Sequence, residues 1–382
     1  MKKAKTPTSV IYVNFSQYDN TGRILDYLRE QFDTVLQFSF DHLRLKHGRK
    51  TNLITLYTKG AKPYINTLYS LRVPPFLLFP SLPLVGVLMV IQTVRQSYLL
   101  RRHLSRPVFF TVNAYPALIG VLLKILGLAN QVTYWVWDYY PVRGPDWTLR
   151  MIRYAYLVFD MIALRLADTL IFPNRRQMKL RQTLHGIRCS HRIIPLGGPK
   201  PTRYHQKVSH TFGFLGMLKS SQGLDLMLAC FDKILTNNHN IVLEIVGSGP
   251  EEEKMRAKAA RYAGHVKFYG FIEDQDAINR IVRRWFAGLA VYEPAAGNES
   301  YFGDPSKIKV YVSQGVPIIT TNVTSYGAET KKHKLGKVIR YSEHALGEAI
   351  REVHKKQRQY RKSAMQYAEK FYYRRLYRHL FN

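Results

Sequence analysis

Between residues 211 and 341, short apolar runs of β type alternate with helical stretches, an alternation that a layered α/β sheet accommodates. Runs at Thr211–Leu215, Ile241–Val246, Val266–Phe271, Gly288–Tyr292, Val316–Ile319 and Val338–Tyr341 read as strands. Helical stretches at Leu224–Leu235, Glu251–Tyr262 and Asp276–Trp285 separate the earlier ones. Strand, helix, strand in succession predicts a parallel, doubly wound sheet with its loops gathered at one edge. The most informative stretch is Asp304–Thr321, DPSKIKVYVSQGVPIITT. Asp304 is placed to cap a helix, Pro305 suits its first position, and Ile308, Tyr311 and Val312 mark one apolar face. Gly315 closes that helix, and Val316–Ile319 begins the next strand. Lys307 falls in the first turn, where its ammonium and the positive end of the helix favour an anion such as a phosphate. A capping Asp304 would oppose that anion, so Lys307 carries the expectation more than the backbone does.

The first half repeats the theme. Ser9–Phe15 reads as a strand, Arg23–Phe32 as an amphipathic helix, and Thr34–Phe40 and Asn52–Tyr57 as strands, which is the opening of a second Rossmann-like unit. No GxGxxG follows the first strand. Pro107–Val112 and Val132–Val136 are further strands, with the apolar helix Ala117–Leu126 between them. Asp138 stands just past a strand's carboxyl end, where open α/β sheets place ligand groups; a loop-bracing aspartate is the plain alternative. Helix Leu149–Arg165 and strand Thr169–Phe172 follow. Arg175, Arg176, Lys179 and Arg181 then give a basic helix face, read as solvated or lipid-facing.

Charge bears on partners. Lys and Arg number 57 against 26 Asp and Glu, a net +31, and the surplus is spread over both halves. That favours nucleic acid, anionic lipid or phosphorylated ligands. No nucleic-acid-binding module is recognisable, so nucleic acid is not expected. The 22 residues Val73–Val94 carry no charge, long enough to cross a bilayer, but Pro74, Pro75, Pro80 and Pro83 leave only Leu84–Ile91 as continuous apolar helix. With Arg95, Arg101, Arg102 and Arg106 behind it, the segment is expected to dip into an anionic membrane surface; a buried helix and a true span are the alternatives. Cys189 and Cys230 suit neither a disulfide framework nor a metal site, which points to a reducing, cytosolic setting. The N-terminal stretch lacks a signal-peptide pattern.

Several of these segments, in this order, resemble GT-B glycosyltransferases, particularly the family 4-like group. Asp304-Pro-Ser-Lys307 with Tyr311, Gly315 and Pro317 is similar to that group's nucleotide-sugar-binding helix and the turn after it. Gly216–Gly223 is similar to its diphosphate loop, Gly247-Ser-Gly-Pro250 to its Gly-x-Gly-Pro turn, and Val266–Ile272 to the segment that meets the nucleobase. Trp137-Asp-Tyr-Tyr-Pro141 looks like an acceptor-side segment, Ala167-Asp168 like the end of the first domain, and Ile193–Pro199 like the hinge. The resemblance implies an α/β protein of GT-B architecture, two Rossmann-like domains facing across a cleft: residues 1–197 for the acceptor, 198–350 for the donor, and 351–382 a basic terminal helix or helix pair that crosses back. It implies transfer of a sugar, with retention and without a metal or cofactor, from a UDP- or GDP-linked donor to a glycan or lipid-linked acceptor at the cytoplasmic face of a membrane.

The same resemblance supplies the site residues. Asp138 is the candidate catalytic residue, and the donor falls to Gly216, Lys219, Gly247, Ser248, Gly249, Phe271, Ile272, Asp304, Ser306, Lys307 and Tyr311. Lys307, helped by Lys219, would neutralise the departing diphosphate. Three positions depart from the pattern. Met217 and Gln222 replace two bases of the diphosphate loop, and Val310 replaces the carboxylate that holds the ribose. A rival reading follows from them, a GT-B-like binding protein with impaired catalysis.

Overall fold

The structure is a computed structural model that describes residues 8–14, 20–41, 52–71, 74, 77, 79–143, 146–202, 209–231, 234–235, 240–262, 264–295 and 299–381. Phe15, Val73 and Pro75, on which sequence expectations rest, lie outside the described residues. The chain divides into two compact units, Met1–Pro195 and Leu196–Asn382.

In the first unit an eight-stranded sheet runs in the order β4-β3-β2-β1-β5-β6-β7-β8. Its strands are β1 (Ser9–Asn14), β2 (Thr34–Ser39), β3 (Asn52–Thr58), β4 (Tyr64–Leu68), β5 (Val108–Thr111), β6 (Gln131–Trp135), β7 (Thr169–Phe172) and β8 (Ser190–Ile193). The helices are α1 (Ile24–Gln31), α2 (Leu82–Leu99), α3 (Ala114–Ile125), α4 (Trp147–Leu166) and α5 (Arg175–His185). Six strands are parallel, but β3 and β4 pair antiparallel and extend one edge. Fully buried Val10, Ile11, Phe109, Phe110, Val132 and Leu170 show why the central strands read as continuous apolar runs: both faces of the sheet are covered. Edge strand β4, by contrast, leaves Tyr64 and Ile65 exposed.

Two expectations fail in this unit. The uncharged segment was expected to hold only the short helix Leu84–Ile91, yet α2 runs for 18 residues and is long and apolar enough to cross a membrane by length and composition. The prolines do not break it. Pro80 precedes the helix, and Pro83 stands in its first turn, where a missing N–H has no intrahelical partner to lose. Only 22% of α2 is buried, through Val85, Met89, Thr93 and Ser97, while Leu84, Val87 and Ile91 stay exposed, so it is not an interior helix. Second, Arg181 does not belong to a solvated face: it is completely buried, paired with an equally buried Asp160 on α4.

The second unit holds a six-stranded sheet, all parallel, in the order β11-β10-β9-β12-β13-β14. These are β9 (Thr211–Leu215), β10 (Val242–Val246), β11 (Val266–Gly270), β12 (Ala287–Ala290), β13 (Ile318–Thr321) and β14 (Gly336–Ile339). Helices α6 (Leu224–Ala229), α7 (Glu252–Ala259), α8 (Gln275–Val282), α9 (Ser306–Ser313), α10 (Tyr326–Lys332), α11 (Glu343–Lys355) and α12 (Gln357–Ala368) join and flank them. The chain runs from β9 out to β11, then returns to the other side of β9 with β12. That places a topological switch point between β9 and β12, the position at which doubly wound sheets bind ligands. The terminal helices are part of this unit, since Ala364, Tyr367, Ala368 and Phe371 pack into the same core as Tyr311 and Ile318.

Candidate active site

Two loops meet at the carboxyl edge of the second sheet. Gly216 follows β9 with φ 142° and Gly247 follows β10 with φ 134°, values that a side chain disfavours. A Cβ on Gly247 would collide with the Gly216 carbonyl. The loops are joined further on: the Leu218 N–H donates to the Ser248 carbonyl at 2.9 Å, and the Glu251 N–H to the Leu218 carbonyl at 3.0 Å. Gly216, Gly247, Ser248 and Gly249 are therefore brought together. Lys219 borders them, partly exposed and 3.6 Å from Glu299.

Lys307 reaches into the same place from the first turn of α9. Its Nζ lies 4.0 Å from the centre of the Phe214 ring on β9 and 5.5 Å from that of Tyr292, just past β12. It thus sits over the switch point. It donates to the Gln222 Oε1 at 2.7 Å and has no ion pair with an acidic side chain among the described residues. Burial, reinforced by the nearby charge of Lys219, holds its pKa well below the ordinary lysine value. A Cβ placed on Gly216 would come within 3.1 Å of Nζ, so glycine is what leaves the ammonium room. Beside it the buried hydroxyl of Tyr292 has no hydrogen-bond partner among the described residues. An uncompensated buried cation and an orphaned hydroxyl are the pattern expected where a polar, anionic ligand completes the site.

Other residues of the expected set have different roles. Asp304 does not cap α9: Pro305 is the N-cap, without a side-chain bond. The Asp304 carboxylate instead pairs with Lys309, accepts from the Tyr326 hydroxyl at 2.9 Å, and accepts from the Leu196 N–H at 2.6 Å. The conflict between a capping carboxylate and an anion is thereby removed, because Lys309 holds that charge. Tyr311 is fully buried; its hydroxyl accepts from the Leu215 N–H at 2.9 Å and donates to the Leu289 carbonyl at 3.1 Å. It braces β9 against β12 and has no free group to offer. Ser306 opens α9, and Phe271 and Ile272 follow β11, half-buried. Val310 packs against the core.

Asp138 belongs to the first unit, three residues past β6 and exposed. The Tyr140 hydroxyl donates to its Oδ2 at 3.2 Å. Among the described residues, no group of three or more His, Cys, Asp or Glu is placed to hold a metal ion.

The sequence does not mark Tyr292, and Gln222, which stands where the resembled loop has a base, accepts from Lys307. Tyr292 ends an apolar run, and nothing local marks its hydroxyl as unpaired.

The fold and the glycine-lined switch point define a class, and comparison with known proteins agrees. The chain is similar to sucrose-phosphate synthase (tll1590) from Thermosynechococcus elongatus, with TM-score 0.70, 15% identity, and 98% of this chain and 99% of that one covered. It is similar to Anabaena Alr3699/HepE in complex with UDP and glucose, with TM-score 0.64, 14% identity and coverage of 96% and 95%. It is also similar to WaaG, a glycosyltransferase involved in lipopolysaccharide biosynthesis, with TM-score 0.55, 16% identity and coverage of 76% and 92%. No curated protein sequence matches it. The protein has the GT-B fold. Residues 204–371, within its second unit, match the family model described as glycosyl transferases group 1.

Proposed function

We propose that this protein transfers a sugar, with retention of configuration and without a metal, from a UDP- or GDP-linked donor to a glycan or lipid-linked acceptor at an anionic membrane surface. The observation that carries the reading is Lys307, a buried ammonium at the switch point whose only described polar partner is a neutral amide. A diphosphate supplies the missing charge. As the bond from the anomeric carbon to the phosphate oxygen breaks, negative charge grows on the leaving diphosphate, and Lys307 with Lys219 stabilises it there. The glycine-lined loops at Gly216 and Gly247–Gly249 admit the phosphates close to the backbone. Asp138 is the polar group offered to the reacting hydroxyl. The UDP bound in Anabaena HepE supports a uridine donor. The role of WaaG in lipopolysaccharide synthesis supports a lipid-linked acceptor.

The membrane reading rests on α2, whose Leu84, Val87 and Ile91 face outward, and on the arginines after it. Such a face lies in the headgroup region while basic side chains meet anionic lipids. The protein is expected to work on the cytoplasmic side, attached peripherally.

Turnover is the test. Purified protein given a set of UDP- and GDP-sugars with a membrane lipid extract releases one nucleoside diphosphate, and Asp138→Asn lowers the rate by orders of magnitude. Nucleotide binding without release from any donor would favour the impaired-binding reading, which Val310 in place of a carboxylate motivates.

A further inference from the structure

A buried polar cluster lies beneath the loop that carries Asp138, and the site described above makes no use of it. Arg181 on α5 and Asp160 on α4 form its centre, both with no exposed side-chain surface. Arg181 Nη2 donates to the Asp138 carbonyl at 3.0 Å, and Nη1 to the Gln177 Oε1 at 3.2 Å. Gln177 Nε2 donates in turn to the Trp137 carbonyl at 3.2 Å. The Tyr156 hydroxyl also donates to the Asp138 carbonyl, at 3.2 Å, and the Tyr134 hydroxyl to Asp160 at 2.7 Å. The guanidinium lies 4.8 Å from the centre of the Tyr139 ring. Consecutive carbonyls at Trp137 and Asp138 are thus held by side chains from two helices.

Stability alone does not call for such a cluster. A fully buried ion pair loses about as much in desolvation as it gains, and apolar residues of similar size often serve as well or better. What Arg181 supplies is direction, because its planar guanidinium presents donors at fixed angles. One edge is anchored by Asp160, and the others reach the loop through the Asp138 carbonyl and through Gln177. Tyr140 holds the Asp138 carboxylate itself, and its ring meets the edge of Tyr156 at 5.1 Å. Backbone and side chain of Asp138 are therefore both tied to one framework.

We propose that Arg181, with Asp160 and Gln177, is a positioning residue for transfer: it fixes the backbone at Trp137–Asp138 and so aims the Asp138 carboxylate. The inference rests on the reading of Asp138 as the group offered to the reacting hydroxyl. A misplacement of about 1 Å at a reacting group costs on the order of 100-fold in rate, so a loosened loop should be visible in kcat.

The test uses the full chain and the double variant Arg181→Met/Asp160→Leu, which leaves no unpaired buried charge. Gln177→Leu is the milder companion, removing one carbonyl contact with no change of charge. UDP-glucose, UDP-N-acetylglucosamine and GDP-mannose serve as donors with a membrane lipid extract, and amide exchange is followed across residues 137–140. In the double variant, exchange there should quicken and kcat should fall about 100-fold at unchanged donor KM, with Gln177→Leu between it and the wild type. Asp138→Asn in the same assay separates the two ideas. If Asp138→Asn is inactive while the double variant and Gln177→Leu keep wild-type kcat, the pair merely braces the fold and the inference is overturned. If Asp138→Asn keeps full activity, the reading of Asp138 fails and takes the inference with it. A wild type that turns over none of these donors overturns both.

Discussion

Replacing Lys307 by Met removes a charge while keeping a side chain of similar length. In the folded protein Nζ has the Gln222 amide oxygen at 2.7 Å and the Phe214 ring at 4.0 Å, with Lys219 adding repulsion. Its pKa is accordingly pushed well below 10.5. Between that lowered value and about 10.4, the value for an unfolded chain, the unfolded state binds more protons, so stability rises with pH. Below the folded pKa the cost of the buried charge is fully present; above the unfolded pKa it is gone. Each unit of depression is worth about 1.4 kcal/mol. For a unit of this size that is roughly 3–6 °C in melting temperature, at about 2–4 °C per kcal/mol. Losing the Gln222 bond and the ring contacts shifts Lys307→Met by an amount independent of pH, so the slope carries the prediction. From pH 7 to 10 the wild type should gain in melting temperature relative to the variant.

Nucleotide should also favour the wild type over the variant. A phosphate charge about 4 Å from the ammonium is worth on the order of 4 kcal/mol at an effective dielectric constant near 20. UDP or GDP should therefore stabilise the wild type and leave Lys307→Met nearly unmoved. A flat difference across the pH range, or an equal nucleotide shift in both proteins, would refute the argument that Lys307 is a buried, unpaired cation awaiting a diphosphate.

Three further outcomes are expected. Gly247→Ala should abolish nucleotide binding and lower stability by several kcal/mol, because its methyl would collide with the Gly216 carbonyl at φ 134°; calorimetric titration with UDP and GDP checks it. Asp304→Asn should cost about 3–5 kcal/mol in denaturant unfolding, since it strips buried Lys309 of its counter-charge, whereas Asp304→Leu with Lys309→Met should cost far less. Ile91→Glu, on the exposed side of α2, should weaken binding to anionic vesicles without lowering the melting temperature, and 1 M salt should release the wild type, as the Debye length falls to about 3 Å; unchanged binding would remove α2 from the membrane contact.

The second sheet is legible because most of its strands are followed by a stretch of helical period; α10, between β13 and β14, is the exception. The first unit is less so. Strand β4 escaped notice because most of it is exposed, so no buried alternation marks it. The prolines around α2 read as breakers, since sequence alone does not show that Pro83 stands inside the first turn. Site residues divide the same way. Glycines and Lys307 are visible through local chemistry, but their partners are distant: Gln222 lies 85 residues from Lys307 and Leu196 lies 108 from Asp304. The neighbours of Asp304 suggest a cap, while its carboxylate answers to Lys309, Tyr326 and Leu196. Arg181 looks like its basic neighbours on α5, and Asp160 on another helix explains its burial. The one hint in the sequence is an aspartate inside the apolar stretch Tyr156–Leu164.

The claim that the second unit is a nucleotide-sugar site is tested most directly by titrating the wild type with UDP, GDP, ADP, TDP and CDP and following its melting temperature. A ligand bound by the native state alone adds about 2.7 kcal/mol at one hundred times its Kd, or roughly 5–10 °C here. One diphosphate, the uridine or guanosine form, should stand out, with its monophosphate weaker because Lys307 answers the second charge. No shift with any of the five would contradict the account, and would leave the buried ammonium over β9 and β12 without the ligand it implies.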